Sequence, residues 1–181
     1  MNFIYFATTN EGKRQEASQI LGIRVEGIKL DAPEIQSLDV NEVAHFKARH
    51  YFDQLKHPLF VEDTALIFNA LNGLPGPYIR DMSEALGNEG LIKLLAGFAD
   101  RSARAVSVLV YIDGEGKEHI FEGVVGGTIA DSVRGEGGFG WDPIFIPAGS
   151  SKTFGEMDRT EKNKISMRKL ALEKMAAFLY T

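Results

Sequence analysis

Glu62 and Asp63 stand side by side where the apolar run Leu59-Phe-Val61 ends. A carboxylate at the end of a buried strand loses hydration energy unless a cation meets it. In α/β proteins the carboxyl ends of strands are also where ligands gather. A third carboxylate, Glu34, lies in Asp31-Ala-Pro-Glu-Ile35. One or two carboxylates, completed by phosphate oxygens and water, make the usual Mg²⁺ arrangement. Such an ion neutralises a polyphosphate and acidifies a water, whose proton a carboxylate can accept. Neighbours in a strand point to opposite faces. Asp63, nearer the expected turn, is therefore assigned to the ligand, and Glu62 to a supporting or second-ligand role. The plain alternatives are a solvated loop glutamate at position 34 and a helix N-cap at Asp63.

Three further groups carry chemistry. Thr8-Thr9-Asn10-Glu11-Gly12-Lys13 joins a strand to a helix. A helix start offers free N–H groups and the positive dipole end to phosphate. Hydroxyl and amide donors, a small residue and a lysine suit that use, although an ordinary capped turn has the same composition. Gly137-Gly-Phe-Gly-Trp-Asp-Pro143 puts Phe139 and Trp141 on one face if extended, beside Gly140. Such a face can stack a base, and Asp142 can accept a base N–H; a core aromatic pair is the simpler use. In the last helical pattern Arg168 falls between Ile165 and Leu172 on the inward stripe, with Lys162 on the turn before it. A guanidinium held there suits a keto oxygen or a phosphate. Lys47 is a lysine among apolar neighbours on a helix, where a solvated face is the simpler use, and the four histidines show no metal or triad spacing.

The elements that must position these groups follow from periodicity. Strands are expected at Phe3–Ala7, Val25–Lys29, Leu59–Glu62 and Trp141–Ile146, and an antiparallel pair at Ala103–Ile112 and His119–Ile129 around Asp113-Gly-Glu-Gly116. Helices are expected from the Thr8–Lys13 turn to about Leu21, over about Asn41–Leu55 behind Asp39, near Gly90–Leu95 before Gly97, and over about Glu161–Leu179 behind Thr160. Ile165, Leu172, Met175 and Leu179 form the core stripe of the last one. The alternation argues one α/β domain over residues 1–181 with a mixed sheet.

Bulk properties narrow the function. With 181 residues and a formal net charge of -5, a basic surface for duplex nucleic acid is not expected. A small anionic substrate in a locally cationic site is compatible with that charge. No cysteine is present, which removes disulfide and thiolate chemistry and fits a cytoplasmic protein. No transmembrane-length apolar run occurs.

Taken together, Ala7–Lys13, Val61-Glu-Asp-Thr64 with Leu74-Pro-Gly-Pro-Tyr78, Phe139-Gly-Trp-Asp-Pro143, and Lys152-Thr-Phe-Gly-Glu-Met157 with Glu161-Lys-Asn-Lys-Ile-Ser166 occur in a recognisable order. The chain resembles the inosine triphosphate pyrophosphatases, which act on noncanonical purine nucleoside triphosphates. The resemblance implies an elongated mixed sheet flanked by helices, in two lobes with a substrate cleft between them, and a homodimer. It implies Mg²⁺-dependent hydrolysis of ITP, dITP or XTP to the monophosphate and pyrophosphate, cleansing the nucleotide pool. By resemblance Thr8, Thr9, Asn10, Glu11, Gly12, Lys13 and Thr64 hold the substrate, Glu34 and Asp63 bind Mg²⁺, and Asp63 accepts the proton of the attacking water, with Lys47 and Glu62 assisting. Phe139, Gly140, Trp141 and Asp142 sandwich and read the base, with Lys162, Ser166, Met167 and Arg168 completing the set.

Two departures stand out. Family members usually carry Ser-His-Arg where this chain has Ser166-Met167-Arg168, and many carry glycine at Thr9. Methionine cannot donate a hydrogen bond to a purine oxygen, so altered selection among ITP, GTP and ATP is expected. The rival readings are a module that senses purine nucleotides without turnover, and a pyrophosphatase for other modified nucleotides. A sensor would not need Glu34 and Asp63.

Overall fold

The computed structural model describes residues 3–33, 35–138 and 140–180. Among the described residues, seven strands and five helices follow in the order β1 (Phe3–Phe6), α1 (Glu11–Leu21), β2 (Arg24–Gly27), α2 (Val40–Leu55), β3 (Leu59–Phe68), β4 (Pro75–Gly76), α3 (Ile79–Lys93), β5 (Ser102–Ile112), β6 (Glu118–Ile129), β7 (Phe145–Pro147), α4 (Arg159–Ile165) and α5 (Met167–Leu179). The strands form one sheet in the order β2-β1-β3-β5-β6-β7, with β4 beside β3. β1 runs parallel to β2 and β3, whereas β4 runs antiparallel to β3 and β7 antiparallel to β6. A mixed α/β fold is the result, as the alternation of patterns requires.

The chain divides into two compact units. One comprises Met1–Asp63, Ser107–Gly123 and Arg168–Thr181; the other comprises Thr64–Val106 and Val124–Met167. The first unit closes around Ile4, Phe6, Leu21, Phe60, Leu109, Tyr111, Leu172 and Met175. The second closes around Leu66, Phe68, Ile79, Leu91, Ile144, Phe145, Phe154 and Met167.

Four expectations are corrected. β3 continues to Phe68 instead of stopping at Glu62, because Thr64-Ala-Leu-Ile-Phe68 keeps an apolar, β-compatible pattern until the Asn69–Leu71 3₁₀ turn. Glu62 and Asp63 are thus mid-strand residues, and Asp63 caps no helix. The segment after Trp141 is a 3₁₀ turn over Asp142–Ile144 with Pro143 in its first positions, so only Phe145–Pro147 is strand. The single long helix expected after Thr160 is two, capped by Asp158 in a capping box with Glu161 and interrupted at Ser166, where ψ is 150°. Ile165 consequently leaves the core stripe and is 40% exposed, while Leu172 and Met175 are buried. Finally α3 begins eleven residues before Gly90, at Ile79. It is interrupted at Gly87 (φ 65°) and buries only Ile79 and Leu91, so its period is faint in the sequence.

Candidate active site

The described candidates in the first unit lie at the start of α1, in the middle of β3, on α2 and at the start of α5. Asn10 caps α1: its Oδ1 accepts from the Lys13 amide at 3.0 Å, and Thr8 Oγ1 accepts from the Asn10 amide at 3.1 Å. The side chains expected as phosphate donors therefore first shape the turn. Glu11 is engaged along the helix by Arg14 and Gln15, and Arg14 also reaches the Val25 carbonyl at 3.0 Å. The turn is thereby fixed to β2 on one side. Lys13 leaves it to meet Glu62.

Glu62 is the electrostatic hub. Its side chain is 2% exposed. Oε1 accepts from Arg168 Nε at 2.7 Å and from Ser107 Oγ at 2.9 Å. Oε2 faces Lys13 Nζ at 3.0 Å, an ion pair rather than an aligned hydrogen bond. Burial alone would push the Glu62 carboxyl up, but Arg168 and Lys13 outweigh it and hold the pKa at about 2. Both oxygens are engaged by cations, so the second-ligand role offered for Glu62 does not suit its surroundings. Arg168 in turn pairs with Glu16 Oε2 at 3.2 Å.

Stability should record this network. The folded pKa of Glu62 lies below its ordinary 4.5. Its contribution is therefore complete above pH ~4.5 and is lost as pH falls toward ~2, amounting to about 3 kcal/mol at most. Urea unfolding at a series of pH values is expected to show that loss, and Glu62→Gln to reduce the acid-dependent part. An unchanged slope in the variant would contradict the assignment.

Asp63 has a different environment. Oδ1 accepts from Lys47 Nζ at 2.7 Å, whereas Oδ2 is buried with no hydrogen-bond partner. Burial raises its pKa, and Lys47 only partly offsets that. Lys47 comes from α2, whose N-cap Asp39 accepts from the Asn41 amide at 2.9 Å. A buried carboxylate oxygen lacking a partner is what a hard cation would complete. Among the described residues no three His, Asp or Glu side chains gather to hold a metal. Glu34, the other expected ligand, lies outside the described residues, as does Phe139.

The second unit carries the other group. Trp141 is 8% exposed and meets Phe145 edge-on, with centroids 5.7 Å apart. Asp142 is 2% exposed, and Lys162 Nζ donates to its Oδ2. The same ammonium lies 5.3 Å from the centroid of the Phe154 ring, a favourable place for a cation. Gly140 (φ 59°) accepts at its carbonyl from Asn88. Ser166 is buried at the junction of α4 and α5, and Thr64 is half-buried on β3.

Met167, the departure noted in the sequence, is 4% exposed within the apolar cluster. Met167→His would place an imidazole among hydrocarbon side chains. We expect a loss of about 1–3 kcal/mol in unfolding free energy, measured by denaturant titration. A neutral result would mean that the position opens to solvent.

Sequence reasoning missed Glu16, Ser107 and Phe154. Ser107 had a usable signal: a lone hydroxyl within Ala103–Ile112 must find a partner if that strand is buried. Glu16 looks like any helical surface glutamate, and Phe154 like any core aromatic. A hollow of about 600 Å³ in the second unit is lined by Arg101, Ser102, Asp131 and Arg134 among others and contains no predicted site residue.

Comparison with known proteins places these residues in context. The model of the Ham1 family matches residues 4–178. A dITP/XTP pyrophosphatase of Methanopyrus kandleri is 48% identical over 176 residues, covering 96% of this chain and 94% of the relative. Inosine triphosphate pyrophosphatase 2 of Trypanosoma cruzi is 47% identical over 177 residues, covering 96% and 90%. Among solved structures, the Staphylococcus aureus Ham1 protein superposes with a TM-score of 0.89 at 32% identity, covering 98% of each chain.

Proposed function

The chain belongs to the Ham1 family, and from that premise we propose that it hydrolyses noncanonical purine nucleoside triphosphates to the monophosphate and pyrophosphate. The observation that carries the chemistry is Asp63, with one oxygen on Lys47 and the other buried without a partner. Relatives named for pyrophosphatase activity on ITP, dITP and XTP support the substrate class.

In this reading the start of α1 and Lys13 take the phosphate chain, and Lys47 neutralises developing charge. Asp63 Oδ2, together with Glu34, would hold Mg²⁺, which supplies phosphate neutralisation and a more acidic water. Asp63 accepts the proton of the attacking water, whose oxygen bonds to the α-phosphorus as the α–β anhydride P–O bond breaks and its electron pair leaves with pyrophosphate. A homodimer and a role in clearing the nucleotide pool, both implied by the family resemblance, stay part of the reading.

Base selection follows from the Asp142–Lys162 pair. A 6-keto purine presents an N1–H donor next to an O6 acceptor, and adenine reverses both. A carboxylate beside an ammonium matches the first pattern and opposes the second, leaving buried groups unpaired when adenine enters. Trp141 and Ser166, in the same unit, would complete the contacts to the ring. Incubation with ITP and Mg²⁺, followed by assay of IMP and pyrophosphate, tests the reading. Equal amounts of the two products support it; inorganic phosphate alone, or no product, rejects it.

A further inference from the structure

Gly138 touches the base-reading pair from behind. Its φ is +82°, and a β-carbon built there would lie 2.2 Å from Asp142 Oδ2, 2.6 Å from its Cβ and 2.8 Å from its Cγ. The carboxylate of Asp142 therefore rests directly on the bare α-carbon of Gly138, with the Lys162 ammonium on Oδ2 as well.

The segment that leads into Gly138 is tied down. The Gly137 amide donates to the Gly155 carbonyl at 3.0 Å, and the Arg134 amide to the Pro143 carbonyl at 2.9 Å. Thr153 Oγ1 donates to the Arg134 carbonyl at 2.7 Å. At Gly135 a β-carbon would lie 2.2 Å from the Gly155 carbonyl carbon, so the two backbones are already in contact. A group added at position 138 meets Asp142.

We propose that Gly138 is a specificity-determining positioning residue, whose missing side chain sets the Asp142 carboxylate for the N1–H edge of a 6-keto purine. This rests on the reading of Asp142 given above. It acts through Asp142 and touches neither the phosphate chain nor the hydrolytic carboxylate. The consequence is a residue that tunes choice of base without tuning affinity for polyphosphate.

The test compares wild-type protein with Gly138→Ala, Asp142→Asn and the double variant. The readouts are the ITP:ATP ratio of kcat/KM and inhibition by inorganic tripolyphosphate, which has no base. Gly149→Ala serves as a control, since it has a similar φ of +81° with nothing within 4 Å. Gly138→Ala is expected to lower the ratio about ten- to a hundredfold, with tripolyphosphate inhibition unchanged and the Gly149→Ala ratio unaffected. In the Asp142→Asn background the same substitution should add nothing. A wild-type ratio in Gly138→Ala overturns the proposal, as does a further fall in the double variant or a parallel loss of tripolyphosphate binding. If Asp142→Asn itself leaves the ratio unchanged, the reading of Asp142 fails and takes the proposal with it. Should Gly138→Ala not fold, Asp142→Glu pushes a longer side chain against the same wall, and an unaltered ratio there is equally decisive.

Discussion

Asp63→Asn is expected to lower kcat for pyrophosphate release from ITP about 10²–10⁴-fold, the range for loss of a positioned general base, while leaving the metal-free protein at least as stable as before. The two halves of that result have one cause. Asn preserves shape and one oxygen for Lys47, but it cannot take a proton from water and is a weaker partner for a divalent cation. Burial raises the pKa of Asp63 in the folded protein, so the fold disfavours its ionised form. The sign is then clear: above the ordinary aspartate pKa of 3.8 the folded state holds this proton more tightly than the unfolded chain, and ionisation reduces stability. A neutral amide removes that penalty. Lys47 loses its counter-charge, but it retains 19% exposure and keeps access to water. Lost activity with retained stability is the signature of a residue kept for chemistry. A variant that unfolds more readily yet still releases pyrophosphate would identify Asp63 as structural instead.

Much of the first unit was legible because its signals are local. The Asp39 cap, the turn that opens α1, the two helices behind them and the Asp113 turn follow from residue types at fixed offsets. Glu62 and Asp63 stood out as carboxylates at the end of an apolar run. What escaped was set by distant partners. The strand did not end at Glu62, because neither carboxylate needs a turn when Lys13, Arg168 and Lys47 arrive from three other segments. The interruption at Ser166 is hidden for a similar reason. Lys-Ile-Ser-Met-Arg reads as continuous helix by propensity, and only the extended backbone of Ser166 (ψ 150°) reveals the break. The Trp141–Asp142 turn shows the same contest locally, where Pro143 at the start of a 3₁₀ turn prevailed over the extended reading.

Arg168→Met should be the costliest single change in the first unit, at about 3–5 kcal/mol of unfolding free energy near neutral pH. The sequence flagged Arg168 as a cation on an inward stripe, and the structure explains why it is tolerated there. Its Nε meets Glu62 at 2.7 Å and its Nη1 meets Glu16 at 3.2 Å, with both carboxylates almost wholly buried. Removing the guanidinium leaves Glu16 Oε2 facing no cation and Glu62 with Lys13 alone. The penalty is therefore the burial of uncompensated charge rather than the loss of an attraction. Two consequences separate this from simple loss of packing. First, the difference between wild type and variant should shrink as pH falls, because the orphaned carboxylates take up protons and cease to be charged. Second, adding Glu16→Gln and Glu62→Gln to Arg168→Met should recover much of the loss, since neutral groups of similar volume replace the whole network. Arg168→Lys should fall between, because an ammonium supplies the charge without the fork that reaches two carboxylates at once. Urea titrations of the wild type and the three variants from pH 7 to pH 4 decide the point, and a pH-independent loss that the glutamines fail to relieve would show that Arg168 acts by volume alone.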